Sequence, residues 1–146
     1  MGKKSKSGKK ARKIDNYEHV EEEEKVLGEL LKPLNRVKGY KAAIILTHSG
    51  EILASDSTDK GFNLQEIGLV FNNIFKAAHE ASEKIGLETC LETSIKTPKG
   101  IIIMKCSGVS AQIHFHLIAV LSSDGNQALA KMELDKTIPL ILDNLT

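Results

Sequence analysis

The stretch IHFHLIAVL, residues 113–121, constrains the fold more than any other part of the chain, because it reads as a strand that is apolar on both faces. Such a strand cannot lie at an edge or against solvent. It belongs at the centre of a sheet with helices on its faces. The flanking segments supply its neighbours. YKAAIILTH, residues 40–48, is a strand with an apolar centre, SG turns it, and EILASD returns, with Ile52 and Ala54 alternating against Glu51, Leu53 and Ser55. LETCLETSIK, residues 87–96, sets Leu87, Thr89, Leu91, Thr93 and Ile95 on one side and Glu88, Cys90, Glu92, Ser94 and Lys96 on the other, as suits an edge strand. TPKG turns it into IIIMKC, and SGVSAQ is a loop leading into the central strand.

Three helical patterns separate these strands. The clearest begins at FNLQEI: Asn63 is an N-cap, Glu66 closes a capping box, and Phe62 and Ile67 can form a hydrophobic staple. Ile67, Val70, Phe71, Ile74, Phe75, Ala78, Ala81 and Ile85 then form one apolar stripe predicted to face the core, and Gly86 is a C-terminal stop. The opposite face carries Asn72, Asn73, Lys76, His79, Glu80 and Glu83, with Leu69 in its midst. An earlier helix opens at the DNYE capping box, residues 15–18, carries Val20, Val26, Leu27, Leu30, Leu31 and Leu34, and should kink or end near Lys32, ahead of Pro33. The last helix, capped by Asp124 or Asn126, carries Leu134, Ile138, Ile141 and Leu145 on a stripe that leaves out Pro139, where a bend is expected. The order is α-β-β-α-β-β-β-α. Hairpin connections without strand–helix–strand regularity argue an α+β domain with an antiparallel sheet.

Charge divides the chain differently. MGKKSKSGKKARKI carries seven basic residues and no acid, whereas the remaining 132 residues set 13 basic groups against 19 acidic ones, a net of −6. The basic segment lacks hydrophobic periodicity, so residues 1–15 are expected to be a disordered tail and residues 16–146 one domain. Lys3, Lys4, Lys6, Lys9, Lys10, Arg12 and Lys13 are its candidate electrostatic contacts, to nucleic acid, anionic lipid or an acidic partner. No aromatic residue is interleaved to stack on bases. Two cysteines, no CxxC and no signal-peptide pattern point to a reduced, cytoplasmic compartment.

Chemistry-bearing patterns are few. GxxxxGK[ST], GxGxxG and HExxH are all absent. His48, Ser49 and Asp56 fall on a hairpin rather than on the strand-to-helix elbow a nucleophilic Ser needs, and serve the turn. HFH places His114 and His116 on one face of a strand, a geometry that can bind a metal, with Cys106 across the neighbouring hairpin. No further ligand falls at fixed spacing and the neighbouring pair reads as Lys105 and Ile103, so partly buried, hydrogen-bonded histidines are the favoured reading.

Taken together, GYKAAIILTHSGEILASDS, the amphipathic NLQEIGLVFNNIFKAAHEASEKIGLE, the pair IKTPKGIIIMKCSG and FHLIAVLSSDGN, and LAKMEL resemble the roadblock/dynein light chain (Roadblock/LC7) family. The loop GVSAQI, the prolines and the basic tail depart from its pattern. The resemblance implies a five-stranded antiparallel sheet with one long helix on one face and two terminal helices on the other. It also implies a non-enzymatic protein, dimeric with itself or a paralogue through the central helix and third strand; from the residues themselves no cofactor and no metal are expected. Such proteins scaffold or regulate small Ras-like GTPases, as activating or localising cofactors. On that implication the partner surface comprises Leu69, Asn72, Asn73, Lys76 and Glu80 with Thr89, Leu91 and Thr93. The alternative is a nucleic-acid- or membrane-associated accessory protein acting through its tail.

Overall fold

The computed structural model describes residues 22–108 and 113–145. The basic tail and the expected capping box at residues 15–18 lie outside them. Residues 22–30 are helical (α1), and the helix gives way at Pro33 to a 3-10 turn, Lys32–Arg36, with the proline in its first positions where no donor is required. Strands β1 (Tyr40–Thr47) and β2 (Ile52–Ser57) form a hairpin. Helix α2 (Leu64–Lys84) follows. Then come β3 (Glu92–Thr97), β4 (Gly100–Cys106), β5 (Phe115–Ser122) and helix α3 (Gln127–Leu145).

The five strands make one antiparallel sheet in the order β2-β1-β5-β4-β3. β5 is central, as its two apolar faces require. Leu117, Ala119 and Leu121 meet one core with Ala43, Ile45, Ile101 and Ile103, capped by Leu27, Leu31 and Leu34 of the first helical region and Ala130, Leu134 and Ile141 of α3. Ile118 and Val120 meet the other core with Ile44, Leu46, Ile102, Met104 and Phe75 of α2. The architecture is the expected α+β sandwich, one long helix on one face and the two terminal helices on the other.

The caps form as their sequences dictate. Asn63 Oδ1 accepts from the Glu66 amide at 3.2 Å, and Asn126 Oδ1 from that of Leu129 at 3.0 Å. At the end of α2, Gly86 takes φ +80°, and the amides of Gly86 and Leu87 donate to the carbonyls of Glu83 and Ser82, a Schellman closure. α3 runs on through the exposed Pro139 to Leu145.

Two strand expectations need correction. Ile52 and Ala54 do not share a face: Leu46 pairs with Ile52 but Ile45 with Ala54, so a bulge at Leu53 sends Ile52 toward α2 and Ala54 toward α1 and α3. The third strand begins at Glu92 rather than Leu87, because Glu88 adopts φ +65° and breaks the extended run. Cys90 consequently packs on the side of Ile95, with its Sγ 3.3 Å from Thr93 Oγ1, instead of on the side of Glu92.

Candidate interaction surface

Helix α2 has two seams of similar spacing, and the sequence alone does not say which one meets the sheet. Gly68, Asn72, Phe75 and His79 recur at four, three and four residues and are buried. Gly68 lets the helix approach β1 closely, since a Cβ there would come 3.0 Å from Leu46 Cδ2. Asn72 is wholly buried and bonds in two directions. Its Nδ2 donates to the His48 carbonyl at 3.1 Å, and its Oδ1 accepts from His116 Nδ1 at 2.6 Å. His79 stacks on Phe75 with ring centroids 4.7 Å apart.

The apolar stripe expected to fill the core is therefore turned partly away from it. Ile67, Phe71 and Ala78 line the border of the core, but Val70 is 50% exposed, Ile74 41% and Ile85 72%. With Ala77 and Ala81, also exposed, they form a second seam, Val70, Ile74, Ala77, Ala81, Ile85, at four- and three-residue steps along the outside of the helix. The polar face is corrected in the same way. Asn72 and His79 lie inside the molecule, so Asn72 leaves the candidate partner surface, while Asn73, Lys76, Glu80 and Leu69 remain on the outside.

The chain carries this exposed apolar character onward through Leu87 and Leu91, both largely exposed, to β3. β3 is an edge of the sheet. Thr89 ahead of the strand and Thr93 within it are half-buried, and β4 reaches past the strand's start, the Cys106 amide donating to the Leu91 carbonyl. Its free side offers unpaired backbone groups, the ordinary template for adding another strand. Polar side chains temper it: Glu92, Ser94, Lys96 and Thr97 are exposed. Glu92 is anchored by Lys105 of β4 and by Lys131 of α3 at 2.8 Å, and these lysine contacts hold its carboxyl below its ordinary value.

No triad forms in the β1–β2 hairpin. His48 and Ser49 are exposed in the turn, where Ser49 Oγ lies 3.0 Å from Thr47 Oγ1. Asp56 is occupied elsewhere, accepting from Tyr40 Oη at 2.6 Å and pairing with Lys32 at 3.2 Å. Burial first, and Asp56 second, push the Tyr40 phenol well above its usual range. The two histidines of HFH do share a face, and His116 pairs in register with Cys106 rather than lying beside Lys105 and Ile103. Their buried companion His79 had a legible signal in its four-residue step from Phe75 through Asn72 and Gly68, but polarity argued against reading that seam as internal.

The family profile described as Roadblock/LC7 domain matches residues 26–122. No curated protein sequence gives a significant match. Among solved structures, the chain is similar to a Roadblock/LC7 domain from Streptomyces avermitilis, with a TM-score of 0.71 and 12% identity over 81% of this chain and 96% of that one. It is also similar to MglB in a tetrameric arrangement, at TM-score 0.73 and 14% identity over 83% and 88% of the two chains. The gliding protein MglB of Thermus thermophilus superposes at TM-score 0.71 and 14% identity, over 83% of this chain and 89% of that one. At these identities the structural likeness speaks to the fold.

Proposed function

Because the chain belongs to the Roadblock/LC7 domain family, we propose that it is a non-enzymatic scaffold that pairs with a second copy of itself or a paralogue and engages a small Ras-like GTPase on the composite surface. The exposed seam Val70, Ile74, Ala77, Ala81 and Ile85 carries this reading. Apolar residues at that spacing on the outside of a well-capped helix are left in water unless a partner covers them. Complete burial of a Val or Ile side chain returns roughly 1.5–3 kcal/mol, so covering the exposed part of Val70, Ile74 and Ile85 returns a fraction of that for each. The open edge of β3 offers a second line of pairing to the same partner. MglB, a similar fold, is described in a tetrameric arrangement, which is in keeping with a surface built for association. Among the described residues no helix is long and apolar enough to cross a membrane.

Light scattering at micromolar concentration tests the pairing: the wild type should weigh twice the 16.0 kDa chain. Ile74→Glu, which would bury an unpaired carboxylate, should weaken association about 100-fold, or ~3 kcal/mol. Leu69→Glu and Leu91→Glu probe the flank of the helix and the approach to β3. A monomeric wild type sinks the proposal. GTPase engagement is tested by pull-down with and without residues 1–14. Binding that survives the deletion favours the scaffold, whereas binding lost with the tail and steeply dependent on salt favours the tail-driven alternative.

A further inference from the structure

Beneath the outer seam, four side chains from three parts of the chain converge on one point. They are His79 of α2, Cys106 at the end of β4, His114 just ahead of β5, and His116 within it. One nitrogen or sulfur atom from each lies within 4.8 Å of all the others. Cys106 Sγ is 3.1 Å from His114 Nε2, and His79 Nε2 is 3.3 Å from His116 Nε2. Around a tetrahedral ion with metal–nitrogen bonds near 2.0–2.1 Å and a metal–sulfur bond near 2.3 Å, neighbouring ligand atoms stand about 3.3–3.6 Å apart. One observed pair already has that spacing and the other falls slightly inside it. The His114 ring meets His116 and His79 edge-on, at interplanar angles of 81° and 70°, rather than stacking flat upon them.

The surroundings suit ligation. Because Asn72 Nδ2 is committed to the His48 carbonyl, its Oδ1 must accept, and His116 Nδ1 must carry the proton. That leaves a bare lone pair on His116 Nε2, facing His79. A side-chain oxygen fixing the far nitrogen in this way is the usual support of a metal-bound imidazole. Burial pushes the Cys106 thiol above its ordinary value, and the Gly108 amide, donating to Sγ at 3.2 Å, opposes that and favours the thiolate an ion would require. Desolvation keeps all three imidazoles neutral, His116 down to about 3. His79 Nδ1 is an independent mark of something unfinished. It is buried without a hydrogen-bond partner among the described residues. Buried polar atoms are nearly always paired; with Nε2 of the same ring turned to the cluster, Nδ1 is the far nitrogen, and a water is what would complete it.

We propose that His79, Cys106, His114 and His116 form a tetrahedral site for a zinc-class divalent cation, which fastens α2 to β4 and β5. One thiolate and three imidazoles select zinc, or cobalt in its place, over magnesium or calcium, which prefer oxygen ligands. Four protein ligands leave no open position, so the ion is structural. His48, exposed in the turn, stacks on His114 with ring centroids 5.1 Å apart and is not needed as a ligand.

The test uses the full-length, untagged chain, stripped with a chelator, confirmed folded by circular dichroism, and titrated with Co2+ alone. One equivalent should bind with tetrahedral ligand-field absorption and a thiolate-to-cobalt band, and Zn2+ should displace it. Cys106→Ser should abolish the thiolate band. His114→Ala, at a half-exposed position that does not compromise the core, should weaken binding at least ~100-fold, and Asn72→Ala about 10–100-fold, as loss of a supporting hydrogen bond does. His48→Ala should leave affinity within about two-fold, since an exposed ring that donates nothing to the ion supports it least. A folded wild type that takes up no Co2+, or binds it without a thiolate band, overturns the proposal. So does binding that His114→Ala leaves unchanged, which would reduce the cluster to hydrogen-bonded histidines.

Discussion

Asn72 shows how one amide can set the inside of a helix. It is the only carboxamide among the buried polar residues described, and it satisfies His116 and the His48 carbonyl together. Leucine fits the same space but bonds neither group. Asn72→Leu in metal-free protein should therefore cost about 1–3 kcal/mol in urea denaturation, the usual penalty for stranding buried partners. Combining it with His116→Phe should cost less than the two changes summed, because one of the stranded partners is then gone. Equal, additive losses would show that the pair is not coupled. The side chain was visible in the sequence only as a polar residue opposite an apolar stripe. Nothing local distinguishes a solvated Asn from one whose partners lie 24 and 44 residues away.

At the scale of elements, the helix caps were the readable part. Asn63, Gly86 and Asn126 act within a few residues of themselves, so their chemistry is local and sequence carries it. Orientation was less readable. Periodicity located an apolar stripe on α2 and turned it toward the core, but it missed the seam of Gly68, Asn72, Phe75 and His79, which the glycine at position 68 lets down onto β1. The bulge at Leu53 depends on the register with Ile45 and Leu46, again a matter of the partner strand. The edge strand yields a pH prediction. Glu92, bonded to Lys105 and Lys131, is held below its ordinary 4.5. In the unfolded chain it protonates near that ordinary value, so below 4.5 the unfolded state binds more protons and stability falls with pH. The contribution is complete above 4.5 and is lost as pH drops through the lower, folded value. Glu92→Gln should thus be less stable than wild type at neutral pH and should flatten the decline in urea midpoint below pH 4.5. An unchanged slope would mean the two lysines do not hold the carboxylate in solution.

On the scale of the whole molecule, the layered α+β arrangement followed from hydrophobic patterning, because a strand apolar on both faces leaves few alternatives. The sheet order has a consequence for how the molecule comes to exist. β1–β2 is one local unit and β3–β4–β5 another, but they join only where β1 meets β5, pairing residues such as Ala43 and Ala119 that lie about 75 positions apart. Closing so long a loop is slow compared with forming either unit. Until it closes, the two eight-residue strands destined for the centre present bare, apolar edges, whereas the finished sheet shows only β2 and the polar-flanked β3. Aggregation should therefore originate in the half-assembled chain and not in the native one. Refolding yield should drop as chain concentration rises while the native protein stays in solution at the same concentration, and a yield indifferent to concentration would show that the two halves close before they can meet a neighbour's.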